Sequence, residues 1–419
     1  MRTFIKYLLL LVCLLYTVSC HQTSPGHYFV MLKDDAQLHE HIAWANKINN
    51  DSDSGHHGVQ DFYECPLGKG YFAHVSGKTA RAIEQSDEVL HLVPESTWSL
   101  QRVQSSDEII VDKRIDPKNW ALTAISSKPP TREGPYKYHK TQATGTYIYV
   151  VDTGIQSDDK EFQGRVVPGW ALAPEDDPKY WEFDSNYLDH GTYVAGMQEV
   201  SVMELLKMLL WLMCRIPARA VIKGLCWAAD DILKHDRANK SVINLSVTVG
   251  EDCSTARKVL YDLANLGITV VAGAGNDGKD AKTACLAGSK HVITVGAYDE
   301  YFNAANFSNH GTGIDVWAPG AGVRSLRSKA VLDELGRHPY PDDMLHGTSF
   351  AAPHVSGMIA GWMGETEEGL TPKQAREKLK ELSHEDLLHT SDFMKCGVPQ
   401  DEWEYRLANN RMAYNGADV

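Results

Sequence analysis

The chain has 419 residues, of which 43% are hydrophobic and 23% charged, a composition typical of globular proteins of two or three domains. The formal net charge of −14 argues against a nucleic acid or an anionic membrane as a partner. Near the amino terminus, two basic residues precede an apolar run, Tyr7 to Tyr16, that is too short to span a bilayer. We therefore predict a signal peptide over residues 1–20 and a secreted, extracellular protein.

Residues 27–95 are predicted to form a small separate domain. The predicted order is a strand over HYFVML, a helix from Asp35 to Ile48, a strand near Gly70 to Val75, a helix from Lys78 to Ser86 and a strand over VLHLVPE. This order is close to β-α-β-β-α-β and predicts a small α+β, ferredoxin-like domain. The polar and charged residues 96–118 are predicted to form an exposed linker that contains a processing site.

From residue 119 to residue 419, strands alternate with helices. The strands are predicted over TYIYVVDTG, SVINLSV, GITVVAGAG and HVITVGA, and the helices over Thr255 to Asn265, Phe350 to Met363 and Thr371 to Leu382. Nearly continuous apolar strands of this kind are typical of a parallel sheet that is buried on both faces. We therefore predict an α/β domain whose functional residues lie at the carboxyl ends of the strands.

Three segments contain the residue types of an acid–base–nucleophile triad, namely VVDTG with Asp152, HGTYVAG with His190 and HGTSFAAPH with Ser349. A serine hydroxyl is a weak nucleophile unless a base accepts its proton, and a buried carboxylate fixes the tautomer of that base. Asn276 follows the strand GITVVAGAG, where its amide is placed to donate to a developing oxyanion. The segments together predict acyl transfer by nucleophilic catalysis.

The segment Asp152-Thr153-Gly154 is also typical of an aspartic peptidase. That enzyme needs two carboxylates that share one proton. The other candidate, Asp53, lies in a polar loop with no apolar strand before it. We therefore prefer the serine interpretation.

Eight cysteines are present, and secretion would permit disulfides. Their spacing does not determine the pairing and contains no C-x-x-C zinc motif. Cys253 with Cys285, or either of them with Cys396, are candidate bridges. Buried free thiols are the alternative.

The motifs VVDTGI, HGTYVAG, VINLS, VVAGAGN, NFSNHGTGIDVWAPG and HGTSFAAPHVSG resemble those of subtilisin-family (S8) serine peptidases of the proteinase K-like type. The resemblance runs from about Trp120 to the last helix, and residues 27–95 are similar to the inhibitor I9-type propeptide of that family. It implies a subtilisin-like three-layer fold with a central parallel sheet. It also implies a zymogen whose propeptide is an intramolecular inhibitor.

The resemblance further implies a role for each site residue. Asp152 orients His190, which is the general base and acid, Ser349 is the nucleophile, and Asn276 with the Ser349 backbone N–H forms the oxyanion hole. Substrate binding is implied for Ser246, Val247, Gly250, Ala274 and Gly275, with the segment from Ser246 to Gly250 pairing with the substrate backbone. The resemblance implies protein or peptide substrates, cleavage after bulky apolar residues, structural calcium at an unassigned position, no catalytic cofactor, and a monomer.

One segment departs from the family pattern. Residues 197–223 contain no Gly, Asp or Asn, although the family has a second buried strand and a glycine-rich segment here. An amphipathic helix in place of the strand is one interpretation, and a frameshift or mis-spliced exon between about Gln198 and Ala220 is the other. Either would leave apolar faces unpaired and predicts, as the alternative function, a catalytically impaired relative with the subtilisin fold, which is a binding module or a defective gene product. Phe350, where the family usually has Met, and Tyr193 are milder departures.

Overall fold

The structure, a computed structural model, describes most of the chain after the predicted signal peptide. The described residues are 26–50, 57–95, 97–100, 120–134, 136–137, 143, 145–157, 162, 164–171, 190–199, 205–210, 215–248, 253–326, 344–390 and 400–417. They divide into two compact units, one up to residue 64 together with 68–95, and the other comprising 65–67 and the residues from 96 onward.

The smaller unit is a four-stranded antiparallel sheet with two helices. Its elements are β1 (Gly26–Leu32), α1 (Leu38–Asn50), β2 (Gly58–Cys65), β3 (Gly68–Val75), α2 (Gly77–Glu84) and β4 (Val89–Pro94). The strand order β2-β3-β1-β4 places β1 in the middle, where Val30 and Leu32 are buried. The sequence does not single out β2 because this edge strand buries few of its residues.

The larger unit is built on one long, mainly parallel sheet. Its main strands are β6 (Tyr147–Val151), β7 (Val166–Ala171), β8 (Leu205–Leu210), β10 (Ser241–Leu245), β12 (Thr269–Gly273), β13 (Ile293–Asp299) and β15 (Val316–Val323). The short strands are β5 (Thr97–Leu100), β9 (Arg215–Pro217), β11 (Val247–Thr248), β14 (Asn303–Ala304), β16 (Leu345–His346), β17 (His384–Glu385), β18 (His389–Thr390) and β19 (Arg411–Met412). In the order β15-β13-β12-β10-β6-β8-β7, every neighbouring pair is parallel.

The larger unit also contains helices. They are α3 (Trp120–Ile125), α4 (His190–Glu199), α5 (Ala218–Lys234), α6 (Cys253–Asn265), α7 (Thr348–Gly364), α8 (Pro372–Leu382) and α9 (Gln400–Arg406). Helix α7 contacts β10, β12, β13 and β15 as well as α4, and all its residues from 348 to 363 are buried. A helix that is apolar on all sides is typical of a protein centre. The predicted α/β architecture with a central parallel sheet is confirmed.

The segment 197–223 does not lose the strand that the sequence analysis found missing. Strand β8 (Leu205–Leu210) pairs in parallel with β6, with Tyr147 opposite Leu205, and also with β7. The expected gap in the sheet, and the helix expected to fill it, are therefore wrong. A short apolar run such as LLKMLL is compatible with a helix or a buried strand. Here it forms a strand, because it pairs with the edge of β6. The proposed frameshift stays a prediction about the transcript.

The predicted exposed linker is in part a strand. Strand β5 lies between β11 and β9 in a separate three-stranded antiparallel sheet, with Leu100 opposite Val247 and Trp98 opposite Ile216. The rest of the predicted linker, with Lys113 and Arg114, lies outside the described residues, as does the predicted signal peptide. Residues 97–100 are therefore held by backbone pairing on both edges.

Two disulfides are formed. The predicted pair Cys253 and Cys285 is confirmed, with an S–S distance of 2.00 Å. A second disulfide joins Cys226 in α5 to Cys65, which clusters with the larger unit. Cys396 lies outside the described residues. None of the helices in the described part of the chain is long and apolar enough to cross a membrane.

A buried histidine in α7 makes the stability of the fold depend on pH. His354 is buried, neither ring nitrogen has a hydrogen-bond partner among the described residues, and burial lowers the pKa of His354 from 6.5 to about 4. Between those two values the unfolded chain takes up a proton that the folded chain does not, so stability falls as the pH falls. The full effect is about 3 kcal/mol.

We therefore expect the substitution His354→Leu to flatten the pH dependence of stability below pH 6.5. The measurement is the denaturant midpoint at pH 7.5 and at pH 4.5, in the Ser349→Ala background to prevent self-digestion. The Ser349→Ala protein that retains His354 should lose more stability between the two pH values than the one that also carries His354→Leu. Equal losses in both proteins would show that His354 is not the group responsible.

Candidate active site

The candidate acid and base meet at the carboxyl end of the central sheet. Asp152 directly follows β6, and His190 is the first residue of α4. His190 Nδ1 lies 2.7 Å from Asp152 Oδ1 and 2.9 Å from Oδ2, and both side chains are fully buried. Because an ionised carboxylate only accepts hydrogen bonds, Nδ1 is the donor and the proton-accepting lone pair lies on Nε2.

Backbone contacts hold these two residues together. The Thr153 N–H donates to Asp152 Oδ1 at 2.7 Å, and the Gly191 N–H donates to Thr153 Oγ1 at 2.9 Å. A Cβ on Gly191 would lie 2.2 Å from the Gly154 carbonyl oxygen, so the start of α4 approaches the loop after β6 as only glycine permits. The rigid acid–base pair therefore depends on both the DTG and the HGT segments.

The candidate nucleophile is the second residue of α7. Ser349 is buried, and its Oγ has no hydrogen-bond partner among the described residues; the same holds for His190 Nε2. The ring of Phe350, the next residue, has its centroid 5.5 Å from that of His190. The fold thus brings the base beside the start of α7 without closing the bond between Nε2 and Oγ. Such bonds are often long before substrate binds.

Asn276 borders the same space as the nucleophile. A Cβ on Gly347 would lie 3.0 Å from Ser349 Oγ and 3.3 Å from Asn276 Nδ2. The Thr348 N–H and hydroxyl both donate to Asn276 Oδ1 at 2.9 Å, which orients the amide. Its N–H2 group is therefore on the side of Ser349, as an oxyanion donor requires. Thr348, which the sequence analysis did not single out, positions this group.

The substitution Asn276→Leu is expected to reduce kcat by about 10²- to 10³-fold and to change KM little, because the lost donor acts mainly on the oxyanion of the transition state. Steady-state kinetics on a peptide substrate measures both constants. Asn303→Leu, which removes an amide bonded to Asp299, is the control and should keep kcat. A kcat of Asn276→Leu within threefold of the wild type would remove Asn276 from the proposed oxyanion hole.

Two of the predicted substrate-binding residues, Ser246 and Val247, directly follow strand β10. Val247 lies in β11, where its backbone pairs with Leu100 of β5, so this edge does accept an extended chain. Ser246 is turned inward, and its hydroxyl donates to the Ser349 carbonyl oxygen at 3.0 Å. This bond ties the start of α7 to the end of β10, which is a structural task that the sequence analysis missed.

Ala274 and Gly275 use their backbone groups inside the protein. The Ala274 N–H donates to Val295, and the Gly275 N–H donates to Thr348 Oγ1 at 3.0 Å. Asn309 donates to both residues through its side chain and its backbone N–H. The part of Ala274 and Gly275 in substrate binding therefore stays a prediction. Gly250 lies outside the described residues.

No cluster of metal ligands accompanies the site within the described ranges. Among the described residues, no three His, Cys, Asp or Glu side chains lie together so that they could hold a metal ion. The structural calcium that the family resemblance implies stays a prediction without assigned ligands.

The chain is similar to known proteins over most of its length. The Subtilase family model of peptidase S8 matches residues 143–394, and the peptidase inhibitor I9 model matches residues 27–101. The Alkaline proteinase of Hapsidospora chrysogena is 27% identical over 377 residues, which cover 88% of this chain and 89% of the relative. The Subtilisin-like proteinase Mp1 of Magnaporthiopsis poae is 29% identical over 388 residues, with the same coverage.

Solved structures similar to this one include the following two. A cold adapted subtilisin-like serine proteinase has a TM-score of 0.56 at 27% identity, over 72% of this chain and all of that chain. Fervidolysin from Fervidobacterium pennivorans has a TM-score of 0.62 over 91% of this chain and 62% of its own, and at 19% identity it shows the fold alone. The S8 match spans Asp152, His190, Asn276 and Ser349. The chain therefore belongs to the subtilase family, and it is a serine endopeptidase that carries an inhibitor I9 domain.

Proposed function

We propose that the chain is a secreted endopeptidase, made as a zymogen, that cleaves proteins through Asp152, His190 and Ser349. The observation that carries the proposal is the buried contact of both Asp152 carboxylate oxygens with His190 Nδ1, beside the start of α7. This contact directs the lone pair of Nε2 away from the carboxylate, as a general base requires.

In the proposed reaction, Ser349 Oγ attacks the carbonyl carbon of the scissile peptide while His190 Nε2 takes the hydroxyl proton. The oxyanion accepts hydrogen bonds from Asn276 Nδ2 and the Ser349 N–H. Collapse of the intermediate breaks the C–N bond, and His190 returns the proton to the leaving amine. A water molecule, deprotonated by His190, then hydrolyses the acyl-enzyme ester and restores the Ser349 hydroxyl.

Substrates are proposed to bind as an added strand. The support is β5, which lies antiparallel between β11 and β9 with Ser99 opposite Thr248. Residues 97–100 lie at the end of the I9 match, so a segment covered by the inhibitor model is paired with this edge. A substrate and residues 97–100 would compete for the same backbone partners, and removal of that segment would activate the enzyme.

The test expresses the full chain, allows it to be secreted and shortened, and measures peptide hydrolysis by the resulting enzyme. We expect cleavage of internally quenched peptides, fastest when the residue before the scissile bond is bulky and apolar, and none before residues 97–100 are removed. A folded, shortened chain that cleaves no peptide of the series would favour the catalytically impaired relative. Inhibition by pepstatin together with an acidic optimum would favour an aspartic peptidase.

A further inference from the structure

An aromatic side chain that follows the nucleophile packs on the catalytic base. Phe350 is fully buried in α7, and its ring lies 5.5 Å from the His190 ring, measured between centroids, with an angle of 43° between the planes. It also meets the Tyr193 ring edge-on, with the centroids 6.2 Å apart and an angle of 78° between the planes. Because His190 and Tyr193 are three residues apart on α4, the Phe350 ring contacts both on one face of that helix.

This packing adds to the constraint that Asp152 places on the imidazole. The two carboxylate oxygens hold Nδ1, at one edge of the His190 ring, within 2.9 Å. Because Nδ1 lies off the bond between Cβ and Cγ, these hydrogen bonds limit rotation of the ring about that bond, and the packing of Phe350 beside the ring limits it further. Phe350 has a rigid ring with two side-chain torsions, and the edge-on contact with the Tyr193 ring restricts both.

The ring also interacts with the charge that His190 acquires during catalysis. A cation that lies over the face of an aromatic ring, within about 6 Å of its centroid, is stabilised by the negative charge of that face, and more so when it is desolvated. The imidazolium forms when Nε2 takes the proton of the nucleophile, and the site is buried. Phe350 would therefore favour the charged state that follows proton transfer.

We propose that Phe350 is a positioning residue, which holds the His190 imidazole toward Ser349 and stabilises its protonated form. This inference rests on the proposed function, since it assigns a role within that reaction. It predicts that a departure from the usual methionine at this position has a catalytic consequence in this chain.

Other charged and titratable groups lie on the elements packed against α4. They are Asp152 after β6, Tyr147 and Tyr149 in β6, His354 in α7, and Arg324 next to Ser325 and Leu326, which contact α4. Burial lowers the pKa of His354 to about 4 and raises the pKa of Tyr149. Neither side chain therefore changes its charge between pH 5 and pH 8, where an ordinary histidine titrates.

The test compares Phe350→Leu with the wild type, using secreted, shortened enzyme whose active sites have been counted by titration. We expect kcat to fall about tenfold with KM within twofold, because the lost contact acts on the base and not on substrate binding. We also expect the acidic limb of kcat/KM to move to lower pH by about half a unit. A role in packing alone would not move that limb.

Two further variants separate the outcomes. Phe162→Leu removes the same atoms from an equally buried ring that has no ring contact with His190 in the described structure, and it should leave both readouts unchanged. A pentafluorinated phenylalanine at position 350 keeps the shape but reverses the polarity of the ring face. It should keep the chain folded even if Phe350→Leu does not fold, and it should move the acidic limb in the same direction.

Three results would overturn the inference. They are an unmoved limb in the fluorinated variant, a kcat of Phe350→Leu within twofold of the wild type, and equal effects of Phe162→Leu and Phe350→Leu. Each of these requires an active wild type. An inactive wild type would instead contradict the proposed function, so the two failures are distinguishable.

Discussion

The substitution Ser349→Ala is expected to reduce kcat by about 10⁶-fold and to leave the chain folded. Removal of the nucleophile abolishes the covalent route, and the residual rate comes from the oxyanion hole and substrate binding alone. The fold should tolerate the change because Ser349 Oγ has no hydrogen-bond partner among the described residues, so its loss leaves no donor or acceptor there unpaired. Hydrolysis of a quenched peptide and the thermal midpoint measure the two effects.

The same variant tests whether the chain shortens itself. We expect purified Ser349→Ala to retain residues 97–100 and the I9 domain, while the wild type loses them. Ser289→Ala is the control, because Ser289 is also buried but lies in a turn before β13. Shortening that persists in purified Ser349→Ala would show that another protease performs it.

The substitution Asp152→Asn is expected to reduce kcat by about 10⁴-fold. The Thr153 N–H donates to Asp152 Oδ1, so an amide oxygen would keep that place and its N–H2 group would face His190 Nδ1. His190 would then have to carry its proton on Nε2, and that tautomer cannot accept a proton from Ser349. The damage is to proton transfer, because the shape of the side chain is preserved.

The measurement is kcat on a peptide substrate, together with the thermal midpoint. The control is Asp262→Asn, which breaks an ion pair with Lys258 at 2.5 Å within α6 and should leave kcat unchanged. An activity of Asp152→Asn within tenfold of the wild type would mean that Asp152 does not set the tautomer of His190.

The sequence predicts the pair of Asp152 and His190 because the residues next to each of them are needed to bring the two segments together. Thr153 and Gly191 bond to each other, and Gly191 must be glycine beside Gly154. These structural requirements explain why the motifs DTG and HGT are recognisable in the sequence. The two tight contacts of the Asp152 carboxylate follow from the same geometry and could be expected from the motifs.

Strands that depend on a partner are harder to predict. Strand β5 has only four residues, TWSL, which do not by themselves distinguish a strand from a loop, and it is paired on both edges by β11 and β9. Strand β8 is apolar, but nothing within its own six residues distinguishes a strand from a helix. In both cases the deciding information lies in the open edge of another strand, distant in sequence.

The hydrogen bonds behind the site also escape sequence reasoning. Asn244 donates to the Ser246 hydroxyl and accepts from Ser356, and Ser246 in turn donates to the carbonyl oxygen of Ser349. Small polar residues in buried strands and helices give no periodic signal, so this network from β10 to α7 appears only in three dimensions. It fixes the first turn of α7, where the nucleophile and one oxyanion donor lie.

Labelling with a fluorophosphonate tests most directly whether Asp152, His190 and Ser349 form a working centre in this chain. The reagent reacts with a serine only when the base and the oxyanion hole are assembled. The shortened wild type should take up one label per chain at Ser349, identified by peptide mapping, and Asp152→Asn should label far more slowly. A folded, shortened wild type that takes up no label, or a Ser349→Ala variant that labels as fast as the wild type, would contradict the account.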